Sequence, residues 1–292
     1  MRSVLHKLQR KSGKVSLSAI SKFTWIMPTY FVLILFAIII AFPLFFMVSL
    51  SLQSFQEVSH FPPIIIPSSF QFGNYVTLFE RIPLFPRYLL NSFIFAGSIV
   101  VGHLFLSSLT GYIFAKFNFP FKRAIITFVL ISLLFPGNLR VIPLYSFMVK
   151  LGLVNTYAGL IVPFIVGPFT IFIMYRFISS IPTEIMEVAR IDGASEARIF
   201  LSIILPLAKP ALIVVTIFQF TFRWNMYLWP LVMTRGNLMT LPVVIAQFKG
   251  TESFFRWNLI GAACVLLLIP SFLIFIFLQR YITRGTAGAL KF

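Results

Sequence analysis

The chain has very little acid. Seven Asp and Glu residues stand against 24 Lys and Arg, and charged side chains make up only 11% of its 292 residues. A soluble domain carries about 25% charged residues, so a soluble enzyme core fits poorly. Cysteine is nearly missing too. The single Cys264 lies in an apolar run and can form no internal disulfide or thiolate cluster. The three histidines, His6, His60 and His103, are scattered and never fall at metal-binding spacing. No GxxxxGK followed by Ser or Thr is present, so the chain has no phosphate cradle for ATP. Charge is also missing locally. None falls between Lys22 and Glu57, Arg87 and Lys116, Lys150 and Arg176, or Arg256 and Arg280.

Apolar side chains fill those gaps. The chain is 59% hydrophobic with 37 Phe, and its mean hydropathy is +0.96. Each uncharged run exceeds the roughly 20 residues that cross a hydrocarbon core. Backbone groups in lipid find no water, so only helices or a closed barrel can span it. Barrel strands alternate polar and apolar residues, and these runs do not. The sequence predicts an all-α polytopic membrane protein with six transmembrane helices. A basic tail, 1–24, precedes a first span at 25–50, which is too long for a cleaved signal peptide. A proline-bearing extracytoplasmic loop occupies 51–88, and a membrane domain, 89–281, holds spans two to six. These fall at about Leu89–Phe114, Ala124 to Pro136 or beyond, Thr156–Tyr175, Pro210–Leu231 and Trp257–Leu278. A loop is expected between the last two. A polar segment, 177–209, interrupts the domain, and 282–292 forms a tail.

The net charge is +17. In a soluble chain that would suggest nucleic acid; in a membrane protein it marks loops beside anionic headgroups, and no nucleic acid is expected. With the N-terminus inside, sixteen basic residues face the cytoplasm and eight face outward. The bias places both termini and segment 177–209 in the cytoplasm. Trp229, Trp257 and Tyr281 read as anchors at the lipid–water boundary.

Four of the seven acids, Glu184, Glu187, Asp192 and Glu196, crowd into the stretch PTEIMEVARIDGASEARIFLSIILP from Pro182 to Pro206. Pro182 and the early glutamates suit a helix start. Ile181, Ile185, Val188, Ala189 and Ile191 suit its apolar face, and Gly193 suits a left-handed stop. A second helix is expected from about Ala194 to Ile204. The bland reading is an interfacial connector with charge pairs such as Glu187 with Arg190. Membrane-surface helices are usually basic on the polar face, and this balanced face suits a protein partner.

The same stretch resembles the "EAA" loop of inner-membrane permease subunits of binding-protein-dependent ABC importers. Glu187, Ala189, Asp192-Gly193-Ala194, Phe200 and Leu205-Pro206 follow that pattern; Val188 stands where Ala is commoner. NYVTLF with NSF, IPLY with LGLVNTYAGLI, and FRWNMYLWPL are similar to other parts of the maltose-type carbohydrate subfamily, specifically its smaller six-span partner. Met226 replaces a usual Glu there. The resemblance implies a type I importer permease fold and import of a sugar, oligosaccharide or polyol. It implies docking of loop 182–206 into separate ATPase subunits, with Glu187 as the most direct polar contact. It also implies a second, non-identical permease, two cytoplasmic ATPases, an extracytoplasmic solute-binding protein and surrounding lipid. ATP and Mg would be bound by the ATPase, and this chain would hold no cofactor or metal and catalyse nothing. Glycerol-3-phosphate or another non-sugar solute is the alternative cargo.

Arg223 stands twelve residues or so into span five, beside Trp224 and Asn225. Charge at membrane depth usually faces a cavity or a partner, and this trio could hold a sugar's hydroxyls; it could equally pack structurally. Arg140 and His103 are weaker candidates. Two other classes stay in view. An ion-driven carrier would place acidic or histidine relays inside spans, and no Asp or Glu lies in any. A membrane enzyme would need a nucleophile–base pair or a metal cluster, and neither is visible.

Overall fold

The computed structural model describes the backbone of residues 17–251 and 256–289 and the side chains of residues 28–247 and 256–280. The N-terminal cluster of Arg2 to Lys22, Lys249, Tyr281 and the side chains of the C-terminal tail lie outside what is described. Every regular element among the described residues is helical. Three helices are each long and apolar enough to cross a membrane: Pro28–Ser51 within α1 (Leu17–Ser51), α4 (Phe85–Lys116) and Trp257–Arg280 within α14 (Trp257–Ala289). Three bent helix pairs pass the same length and composition test, which gives up to six spans when each pair is counted as one. Between α1 and α4 lie α2 (Phe55–Val58) and α3 (Gly73–Arg81).

The third span turns by 98° between α5 (Lys122–Ser132) and the segment Gly137–Lys150, which contains α6 (Val141–Lys150). Pro136 and Gly137 occupy that break, where proline removes a donor and disfavours helix in the residue before it. The fourth bends by 41° between Tyr157–Phe164, which opens with α7 (Tyr157–Ile161), and α8 (Pro168–Ser179). The polar segment forms α9 (Glu184–Ile191) and α10 (Glu196–Leu207), and α10 meets α11 (Lys209–Trp224) at 76°. The fifth span is shorter than expected: its helix stops at Trp224, and α12 (Leu228–Met233) starts afresh. The expected loop before span six contains a further helix, α13 (Leu241–Thr251).

Helix α4 is the hub, packing on both α8 and α11. Against α8 the approach is set by missing side chains. A Cβ on Gly111 would sit 2.7 Å from Met174 Cβ and 2.9 Å from the Tyr175 nitrogen, and one on Gly167 would strike the His103 ring. Small residues let membrane helices meet at backbone distance. Against α11, Trp224 stacks on Phe220 with ring centres 5.3 Å apart and lies 4.7 Å from Phe93. A π turn, His103–Ser107, interrupts α4; such turns recur at functional sites. Asn91, fully buried in α4, donates to the Asn237 and Met239 carbonyls at 2.8 Å and accepts from the Tyr157 hydroxyl at 2.6 Å.

Loop 51–88 is ordered by side-chain bonds to its backbone. Asn74 donates to the Ser51 and Gln53 carbonyls, and Gln53 donates to that of Ile64 at 2.7 Å. Glu57 closes a capping box with Ser54 and accepts the Ser68 amide at 2.8 Å. Those two backbone N–H donors, Ser54 first, favour the ionised form and lower its pKa to about 2. Trp229 is not a boundary anchor. It is 1% exposed and its indole donates to the Leu160 carbonyl at 3.1 Å, because the α12 turn carries it inward. Trp257 is more than a third exposed.

Candidate functional site

Segment 182–206 folds as a two-helix elbow. Glu184 and Glu187 occupy the first turn of α9, where the helix dipole favours carboxylates. The helix ends in a Schellman motif: Ala194 N–H donates to the Ala189 carbonyl at 2.9 Å and Gly193 N–H to that of Arg190 at 3.0 Å. That closure requires positive φ at the residue past the cap, and Gly193 supplies +80° without a Cβ penalty. Ser195 then starts α10 by accepting the Arg198 amide at 3.3 Å. The elbow is held to the membrane domain from beneath. Met186, Ala189, Ile199, Phe200 and Ile204 enter one buried cluster with Met174 and Ile178 of α8. Glu196 joins three elements: it accepts Arg190 Nε at 2.6 Å and the Tyr112 hydroxyl of α4 at 2.9 Å. Lys116 Nζ donates to the Ile181 carbonyl.

The expected pairing of Glu187 with Arg190 does not form. Arg190 reaches across the glycine turn to Glu196 instead, and this partner holds the guanidinium pKa above its usual value. Glu187 keeps an exposed carboxylate with no hydrogen bond among the described residues, beside exposed Asp192. The apolar face also differs from expectation. Ile181 and Ala189 point inward with Met186, but Ile185, Val188 and Ile191 point outward, Ile191 at 85% exposure. The reason is that the buried stripe follows Met186 and Ala189, three residues apart, and the remaining apolar positions lie off it. Of the other motif residues, Phe200 is buried on Tyr112, Ala194 and Leu205 are half-buried, and Pro206 is exposed near the bend into α11. The surface is therefore a mixed one: Glu184, Glu187 and Asp192 around Val188 and Ile191.

A second constellation lies between α4, α5, α8 and α11, around a cavity of about 450 Å³. Arg223, 9% exposed, faces it from α11 with its Cζ 4.6 Å from the Phe164 ring centre and 5.1 Å from that of Phe222. Its Nη1 has only the Met226 sulfur at 3.7 Å, and its Nε has no partner. Gln219, His103 and Arg140 share the lining. Trp224 and Asn225 do not. Trp224 donates to the Leu267 carbonyl at 2.8 Å inside a packed aromatic cluster. Asn225 is exposed and caps α11 by donating to the Thr221 carbonyl at 2.8 Å. Gln219 was missed by sequence reasoning. Its position one turn before Arg223 on α11 is the signal that could have found it.

A six-span helical bundle with an exposed acidic elbow is the architecture of an importer permease, and comparison with known proteins agrees. Residues 90–288 match the family described as "Binding-protein-dependent transport system inner membrane component". The chain is 35% identical over 92% of its length, and 96% of the relative's, to the arabinooligosaccharides transport system permease protein AraQ of Halalkalibacterium halodurans. It is 31% identical, over 90% of its length and 96% of the relative's, to the sn-glycerol-3-phosphate transport system permease protein UgpE of Pectobacterium atrosepticum. A chain in the crystal structure of a bacterial ABC transporter involved in the import of the acidic polysaccharide alginate superposes with a TM-score of 0.78 at 25% identity, covering 89% of this chain and 97% of that one. The protein is thus a multi-pass transport subunit with the type I importer permease fold. It belongs to the binding-protein-dependent transport system inner membrane components.

Proposed function

We propose that this chain is the smaller permease of an ATP-driven importer that brings a carbohydrate across the bacterial cytoplasmic membrane. In this reading two cytoplasmic ATPase subunits grip loop 182–206, a second and non-identical permease completes the pathway, and an extracytoplasmic binding protein delivers the cargo. ATP and Mg belong to the ATPase chains. Both termini and the elbow face the cytoplasm, as the distribution of basic residues favours. The single observation that carries the coupling role is the elbow itself. A Schellman corner presents exposed Glu187 and Asp192 beside exposed Val188 and Ile191. That mixture of charge-assisted contact and apolar area suits a socket on a protein partner. The arabinooligosaccharide relative supports the carbohydrate cargo, and the glycerol-3-phosphate relative keeps that ester as the alternative.

The test is co-purification in detergent followed by mass spectrometry, then ATPase coupling in proteoliposomes. Wild type should bring down an ATPase and a second permease. Gly193→Trp should insert normally yet lose stimulation of ATP hydrolysis by the loaded binding protein. Full stimulation in that variant would remove the elbow from the coupling path.

A further inference from the structure

The cavity beside Arg223 carries more information than its position. Charge is one-sided: Arg223 and Arg140 both line it, and none of the lining residues is Asp or Glu. A guanidinium 9% exposed at membrane depth needs an anion or a set of acceptors. Ring faces and a thioether answer only part of that need, and Nε is left with nothing.

The neighbouring polar groups are oriented. His103 Nε2 lies 2.9 Å from the Phe164 carbonyl, which can only accept, so this nitrogen carries the proton. In the neutral ring Nδ1 is then the acceptor for the Thr170 hydroxyl at 2.6 Å. Thr170 Oγ1 in turn accepts from Gln219 Nε2 at 3.2 Å. The chain of bonds from Gln219 to Phe164 fixes the Gln219 amide, and its buried Oε1 remains without a donor. Both residues line the cavity, and each keeps a buried atom without a partner: a cationic donor, Arg223 Nε, and a neutral acceptor, Gln219 Oε1, four residues apart on α11.

A neutral sugar could satisfy the acceptor with a hydroxyl but would leave the buried Arg223 without a counter-charge. We infer that this cavity binds an anionic polyol, a hydroxylated molecule bearing a carboxylate or a phosphate ester, with Arg223 and Arg140 holding the acid group and Gln219 Oε1 taking a hydroxyl. The inference rests on the importer reading and narrows its cargo.

The test labels the cavity directly. Full-length chain carrying Cys264→Ala and Ser132→Cys, assembled with its partner subunits in nanodiscs, is treated with anionic sulfonatoethyl or cationic trimethylammonioethyl methanethiosulfonate. Ser132 lines the cavity; Ser69→Cys in the exposed loop serves as the reference. Because clefts lined by one sign of charge concentrate counter-ions by roughly tenfold or more, the anionic-to-cationic rate ratio at position 132 should exceed the reference by about that factor. It should fall with added salt and in Arg140→Gln and Arg223→Gln. Galacturonate or glycerol 3-phosphate should protect the thiol where galactose and glycerol at the same concentration do not, and which acid protects separates carboxylate from phosphate. Equal protection by the neutral compounds, or a ratio no higher than the reference, overturns the inference. A ratio raised in the isolated chain but lost in the complex also overturns it, since an acidic side chain of the partner permease would then be the counter-ion. If Arg223→Gln fails to assemble, the exposed Arg140→Gln carries the comparison. A complex that couples to an ATPase yet shows no anion preference defeats this inference alone; a chain that recruits no ATPase defeats the importer reading.

Discussion

At the elbow of α9 and α10, Arg190 is answered by Glu196 at 2.6 Å although both side chains are more than a third exposed. In the cavity, Arg223 is buried and is answered by no carboxylate among the described residues. This ion pair stands where water already screens charge, and Arg223 stands as a cation where screening is weakest. An exposed pair contributes little to stability, so the Arg190–Glu196 bridge is better understood as geometry: it spans the glycine turn and fixes one helix against the next. A buried unpaired charge is costly, so Arg223 is better understood as an unfinished site. The elbow is complete without a ligand, and the cavity is not.

Experiments can break that comparison, beginning with the largest effect. Glu187→Lys should reduce solute uptake about 30-fold or more while membrane insertion is unchanged, as charge reversal at an interface anchor commonly costs 2 kcal/mol or more; wild-type uptake would free the elbow of any coupling role. Arg223→Gln should lower uptake about tenfold, the scale of one lost charge-assisted hydrogen bond. Assembly measured by co-purification should hold; loss of assembly with wild-type-like uptake in the residual complex would make Arg223 structural. A double-mutant cycle on Arg190→Ala and Glu196→Ala, read by thermal melts, should give a coupling of about 0.5 kcal/mol. Coupling of several kcal/mol would erase the contrast between the two sites. The smallest effect is on loop 51–88. Glu57 has a folded pKa of about 2 against an ordinary 4.5. A carboxylate with a depressed folded pKa stabilises above the ordinary value and loses that contribution as pH falls toward the folded one. Protection factors for amide exchange at Ser54 and Ser68, corrected for the intrinsic rate at each pH, should therefore stay high at neutral pH and fall between about 4.5 and 2, and Glu57→Gln should flatten the profile.

The broad architecture was legible because lipid imposes it: four long gaps without charge can only be helices. Gly193 was legible for a similar reason, since few other residues accept the dihedral that ends α9. What escaped was set by distant contacts. Tyr112 meets Glu196 from 84 positions away, and no local pattern announces that. The inward stripe of α9 passes through Met186, which carries no more hydrophobic signal than Ile185 or Val188 beside it; only the surface presented by α8 decides between them. Trp224 looked like a sugar platform because it neighbours Arg223 in sequence. Consecutive helical residues are turned about 100° apart, and one faces the cavity while the other packs on Phe220. The early stop of α11 at Trp224 has no proline or glycine to mark it.

The glycine contacts between α4 and α8 have a mechanical consequence. Where Gly111 lies against Met174 and Gly167 against His103, there is no side chain left to slide or re-pack. Those two helices must travel as a single beam. On the proposed coupling, any rocking would be absorbed elsewhere, at the angled joints around Pro136, Pro206 and Pro210, and the elbow would act as a crank handle fixed to that beam.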